Sequence, residues 1–155
     1  MDELIKWLIA GGGWIVALLT VWIGYHERNQ AREEERLQET LQYFTGGTQK
    51  RSIGIALIEG VWQTKGKYLD TLVPVIANQL VYLLVTTDSQ KEAHEERNLV
   101  RLFNIFKSVP ELNSRHLHYK QDVLDALEKK IRGEKMGLDI AKPTLEAWQQ
   151  ILAET

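Results

Sequence analysis

Residues 69–85 read LDTLVPVIANQLVYLLV, a run whose only charged side chain is Asp70. Leu72, Val73, Ile76, Leu80, Leu83 and Leu84 recur at the three- and four-residue spacing of one helix face. Val75, Val81, Tyr82 and Val85 make the opposite face apolar as well. A helix apolar on both sides is expected at the buried centre of its domain. Asp70 or Thr71 suits its N-cap. The absence of charge over residues 71–87 also raises a membrane span, but Pro74, Asn78 and Gln79 are costly in hydrocarbon and favour a protein core.

Working outward, helical spacing continues on both sides. Thr45-Gly46-Gly47-Thr48 predicts a break, with glycines suited to a left-handed cap and Thr48 to the next N-cap. Ile53, Ala56, Leu57, Gly60 and Val61 follow at helical spacing beside Ile58 and Trp62, up to a second break near Gly66. Downstream, Ser89 with Glu92 forms a capping box before a helix carrying Ala93, Leu99, Leu102, Phe103 and Phe106, which Val109-Pro110 ends. Asn113 or Ser114 starts another, with Leu117, Leu124, Leu127 and Ile131 inward and Lys129, Lys130 and Arg132 in its last turn, where cations suit the dipole. Gly133 stops it, and Pro143 opens a last helix with Leu145, Trp148 and Leu152. No alternating strand of any length is present. The expectation is an all-α chain whose residues 45–155 form a bundle or stack of about five helices.

The segment from Thr48 to Thr87 resembles the A and B helices of HEAT or armadillo repeats. The likeness rests on KRSIGIALIEG, with its Arg and small apolar residues, followed by LDTLVPVIANQLVYLLV with a proline placed early in the second helix. Residues 89–133 are similar more loosely, as a second hairpin. The resemblance implies a helical surface for gripping a partner and brings no catalytic residues with it.

Residues 1–25 are expected to be an N-terminal transmembrane anchor. Trp7–Gly24 reads WLIAGGGWIVALLTVWIG, without an ionisable group, and as a helix would rise roughly 27 Å, close to a bilayer's hydrocarbon thickness. Trp7 at one end, and Trp22 and Tyr25 at the other, suit the two aromatic belts. MDELIK lacks the cationic cluster of a secretory signal, and no small-x-small cleavage site follows. Lys6 alone precedes the span, whereas Arg28, Arg32 and Arg36 follow it. The positive-inside rule then puts the N-terminus outside and the rest in the cytoplasm, at a bacterial inner membrane. Within the span, Ala10, Gly13, Ala17, Thr20 and Gly24 form a stripe of small residues that suits close packing against a second membrane helix. Residues 26–44 continue as a charged juxtamembrane stalk with opposite charges three and four apart.

Chemistry is sparse. The 155 residues carry 19 Lys+Arg against 21 Asp+Glu, a net charge of -2 that argues against a nucleic-acid binder. No cysteine is present, which excludes disulfides and thiolate metal sites. His94-Glu95-Glu96 begins like a zincin helix, but Asn98 stands where the second histidine is needed. His116 and His118 point to different sides of a helix, and a surface role is expected for the histidines. No catalytic site, metal or cofactor is predicted, and the chain is expected not to be an enzyme. Thr48, Lys50 and Arg51, behind two glycines at a helix start, are the candidate contact for an anion or a partner. Headgroup contact by Lys50 and Arg51 would need a bend in the stalk. Trp62 and Trp148 are the candidate partner groove.

The predicted function is therefore a non-enzymatic helical adaptor that self-associates or holds a partner protein at the membrane. Two rivals differ in class: a membrane-disrupting effector controlled by its cytoplasmic domain, and a sensor of a nucleotide or other phosphate ligand. A small-molecule ligand is not expected.

Overall fold

A computed structural model of the chain describes residues 2–87, 93–110 and 112–155, with side chains from Trp22 onward, Lys67 excepted. The regular structure of the described residues is all α-helical or π-helical, with no strand among them. Six α-helices follow in order: α1 Asp2–Tyr43, α2 Thr48–Leu57, α3 Gly66–Val85, α4 Ala93–Lys107, α5 Leu117–Ile131 and α6 Lys142–Glu154. A short π-helical segment, Ile58–Trp62, follows α2 directly. The chain divides into two compact units, Met1–Glu39 and Thr40–Thr155.

The first unit is helical throughout its described residues, so the expected anchor and stalk share one uninterrupted helix. Trp22, Ile23 and Tyr25 are exposed on it, and the ring of Trp22 stacks on His26 at 5.7 Å. Ala10, Gly13, Ala17 and Thr20 lie outside the residues whose side chains are described; Gly24 has open space where a Cβ would stand.

In the second unit α3 is the central helix. It packs against α5 and α4, while α2 lies on α4 and α6 on α5. Leu72, Val73, Ile76, Leu80, Leu83 and Leu84 are all buried, so the face read from sequence is the one that meets the neighbours. The opposite face differs from expectation: Val75, Val81 and Val85 are half-buried and Tyr82 is exposed, so that side is only partly covered. By length and composition Tyr68–Val85 could cross a membrane. The same apolar residues are the ones that pack on α4 and α5, which accounts for their hydrophobicity within the bundle.

Several boundaries differ from the sequence reading. α3 begins at Gly66 rather than at Asp70 or Thr71, which places Pro74 inside the helix instead of near its start. The proline offers no amide to the carbonyl of Asp70, a local weakness that the packing of the surrounding leucines tolerates. Gly47, extended at φ -72 and ψ -175, is the N-cap of α2, and Thr48 stands in the first turn. Neither Gly46 nor Gly47 takes the left-handed conformation; among the described residues Gly133 and Gly137 do. α5 begins at Leu117 rather than Asn113 or Ser114, and Leu117 is exposed rather than inward. Of the stripe expected after Thr48, Ile53, Ala56 and Gly60 are exposed while Ile55, Ile58 and Trp62 are buried. The Ser89–Glu92 capping box lies outside the described residues. Pro143 sits in the first turn of α6 as expected, and α5 ends two residues before Gly133.

Candidate functional site

α2 carries Arg51, Ile55, Ile58 and Trp62 on one stripe that runs into the π segment, with spacings of four, three and four. α4 carries Glu95, Leu99, Leu102 and Phe106 on another with the same spacing. Each apolar stripe therefore has one charge at its N-terminal end, and packing α2 on α4 brings the two charges together. Arg51 and Glu95 are 7% and 4% exposed.

The Arg51 Nη1 donates to Glu95 Oε1, and its Nε donates to Gln79 Oε1 of α3 at 2.8 Å. The guanidinium also lies over the Tyr82 ring, 5.5 Å from its centroid. Thr48 Oγ1 donates to Glu95 Oε1 at 2.8 Å, and Asn98 Nδ2 donates to Glu95 Oε2 at 3.1 Å. Ser52 Oγ completes the cluster by donating to Asn98 Oδ1 at 2.8 Å. Among the described residues no buried side-chain nitrogen or oxygen is left without a partner.

Burial alone would raise the Glu95 carboxyl. Hydrogen bonds from Arg51, Asn98 and Thr48, with the Arg51 charge, outweigh it and hold the group below its ordinary value. Glu95 is thus an ionised carboxylate satisfied by its own chain, not a proton donor near neutral pH. An open groove of about 620 Å³ runs beside the cluster, lined by Thr48, Gln49, Ser52, Ile53 and His94.

No family model matches the chain, and neither a curated protein nor a solved structure does.

Of the sequence-derived anion contact, Thr48 and Arg51 come together on Glu95, while Lys50 is exposed. The carboxylate stands where an outside anion would have met the threonine and the arginine. Trp62 and Trp148 are both buried, 1% and 8% exposed. The Trp62 Nε1 donates to Thr40 Oγ1 at 3.0 Å and its ring lies 5.1 Å from that of Tyr68. Trp148 stacks on Phe103 with centroids 4.3 Å apart. Both rings serve the core rather than an open surface.

A second polar cluster was not anticipated. His116, expected at the surface, is buried, and its Nε2 lies 3.1 Å from Asp70 Oδ1, while Arg115 pairs with the other oxygen. The contact ties the first turns of α3 to the start of α5. Lys120, also buried, donates to Asn113. The signal was again a polar residue on an apolar stripe, since His116 and Lys120 precede Val123 and Leu127 at helical spacing.

Another concave feature is a pocket of about 350 Å³ formed by Lys130 and the loop after α5, including Gly133, Glu134, Lys135, Gly137, Asp139 and Ile140. Lys130 Nζ donates to the carbonyls of Glu134 and Met136, at 3.1 and 2.7 Å, and so closes the loop onto α5. Burial lowers its ammonium below the ordinary lysine value, and the charges of Asp139 and Glu134 only partly offset this. Among the described residues no group of His, Asp and Glu is arranged to hold a metal ion.

Proposed function

We propose that the protein is a membrane-anchored, non-enzymatic helical interaction protein. Trp7–Gly24 spans the bilayer, and the helical body that follows is held at the cytoplasmic face of a bacterial inner membrane. The observation that carries the reading lies at the C-terminal end of that apolar run. Trp22 and Tyr25 stand 64% and 67% exposed on α1, at the depth where an aromatic belt would meet the headgroups. Arg28 and Arg32, exposed one and two turns further on, fit the cytoplasmic side of such a belt.

What favours an adaptor role over the phosphate sensor is that two of the three residues expected to hold an anion, Thr48 and Arg51, are engaged by Glu95. Its stacked helices offer the kind of surface that the HEAT or armadillo resemblance of residues 48–87 implies. Copies paired through Ala10, Gly13, Ala17, Thr20 and Gly24 would add avidity to weak partner contacts.

Fractionation of the full-length chain tests the anchor. The protein sediments with membranes and resists carbonate washing, while Leu18→Arg, which puts a charge at mid-span, moves a large share into the soluble fraction. Full-length protein that stays in the supernatant without detergent would refute the reading.

A further inference from the structure

The way α2 is fastened differs from the way the rest of the body is built. Of its ten residues, Arg51, Gly54 and Ile55 are buried, so Ile55 is its one buried aliphatic side chain. α3 buries Leu69, Leu72, Val73, Ile76, Leu80, Leu83 and Leu84. Gly54 sits so close to Tyr43 and the Phe44 ring that a Cβ would not fit. Beyond Ile55, however, what α2 offers α3 and α4 is polar: Arg51 to Glu95 and Gln79, Thr48 to Glu95, and Ser52 to Asn98.

We propose that α2 is a polar clasp, seated on α3 and α4 by the buried Arg51–Glu95 pair and able to come away as a unit while α3–α6 keep their core. A buried ion pair adds little net stability compared with apolar packing, but losing one partner strands the other charge. Such a pair makes seating all-or-none: in register the cluster is satisfied throughout, and out of register two charges are left bare. The charged groups of the cluster are Arg51 from α2 and Glu95 from α4; α3 faces them with the neutral Gln79 and Tyr82.

The hinge is also visible. At Leu57 the α-helical pattern gives way to the π segment, where Gln63 N–H donates to the carbonyl of Ile58 at 2.8 Å. Ile58 and Trp62 are fully buried there and anchor the far side. A π turn is a recognised place for a helix to change course. On the other side, residues 44–47 are non-helical, so α2 has a break at each end. The groove along Thr48, Ser52 and His94 already brings solvent to the edge of the seam. Release of α2 would uncover the sides of α3 and α4 beneath it and make the body a two-state surface. Opening of α2 requires no lipid around residues 7–24.

Hydrogen exchange on the full-length chain in detergent micelles tests it. In the wild type, amides of residues 52–57 exchange at least about tenfold faster than those of residues 75–85, as expected for a local opening. Glu95→Gln speeds the α2 amides further, by about tenfold or more, while those of residues 75–85 still exchange at least about tenfold slower than the α2 amides. Equal protection of α2 and α3 in the wild type overturns the proposal without any variant. So does a Glu95→Gln chain in which the α2 amides exchange no faster than in the wild type, or no faster than those of residues 75–85.

Discussion

Arg51 and Glu95 are forty-four residues apart in sequence, yet each occupies the apolar stripe of its own helix and the two meet inside the body. Removing one partner leaves a buried charge without compensation, a loss of about 3–5 kcal/mol. Replacing both by apolar residues removes the problem along with the pair. Arg51→Met and Glu95→Leu are each expected to lower the thermal midpoint, and the double variant to melt near or above the wild type. A double variant clearly less stable than the wild type would show that the pair contributes net stability.

The same pair sets a response to acid. Glu95 titrates below its ordinary value in the folded chain, so the unfolded state holds the more tightly bound proton. The stabilisation is complete above the unfolded carboxylate value of about 4.3, and is lost as pH falls through the lower folded value. Urea unfolding at a series of pH values should show wild type and Glu95→Gln differing by a constant amount from pH 7 to about pH 5, then converging in stronger acid. A difference that already shrinks near neutrality would mean that Glu95 is not held as described.

Two glycines in the loop after α5 have positive φ, at 100° for Gly133 and 84° for Gly137, but only one is enclosed. A Cβ on Gly133 meets nothing, whereas one on Gly137 would run into the carbonyl of Leu84. Gly137 N–H donates to the carbonyl of Thr87 and Leu138 N–H to that of Leu83, both at 2.9 Å, so the loop is pinned across the end of α3. Gly133→Ala is expected to cost the backbone term alone, about 1–2 kcal/mol. Gly137→Ala adds the displacement of a hydrogen-bonded loop and should cost clearly more. Equal losses in denaturant melts would contradict the close approach.

These cases mark what a single sequence made legible. The inward face of α3 could be read because Leu72 to Leu84 repeat at one helix's spacing, and local spacing is all that such a reading needs. The start of α3 was missed because Asp70 and Thr71 looked like caps; Asp70 instead serves Arg115 and His116 from a distance. Thr48 misled similarly, since the hydroxyl that suits an N-cap is spent on Glu95. The cluster itself needs α2 to lie on α4, a tertiary relationship that periodicity does not encode. Its trace in the sequence is faint: one arginine and one glutamate, each on an otherwise apolar stripe.

The proposed pairing of the proposed spans can be tested separately from everything in the body. Ala10, Gly13, Ala17, Thr20 and Gly24 recur at spacings of three and four, and small residues at such positions let two helix backbones approach until van der Waals contact is continuous. In hydrocarbon that contact replaces the hydrophobic drive of water, so bulk on the stripe should break it, whereas bulk removed elsewhere should not. Gly13→Leu is therefore expected to reduce crosslinked dimer in native membranes several-fold without reducing membrane retention. Ile15→Ala, about half a turn away from Gly13, should leave the dimer unchanged. If Gly13→Leu leaves the dimer intact while Glu95→Gln abolishes it, self-association belongs to the helical body and not to the span.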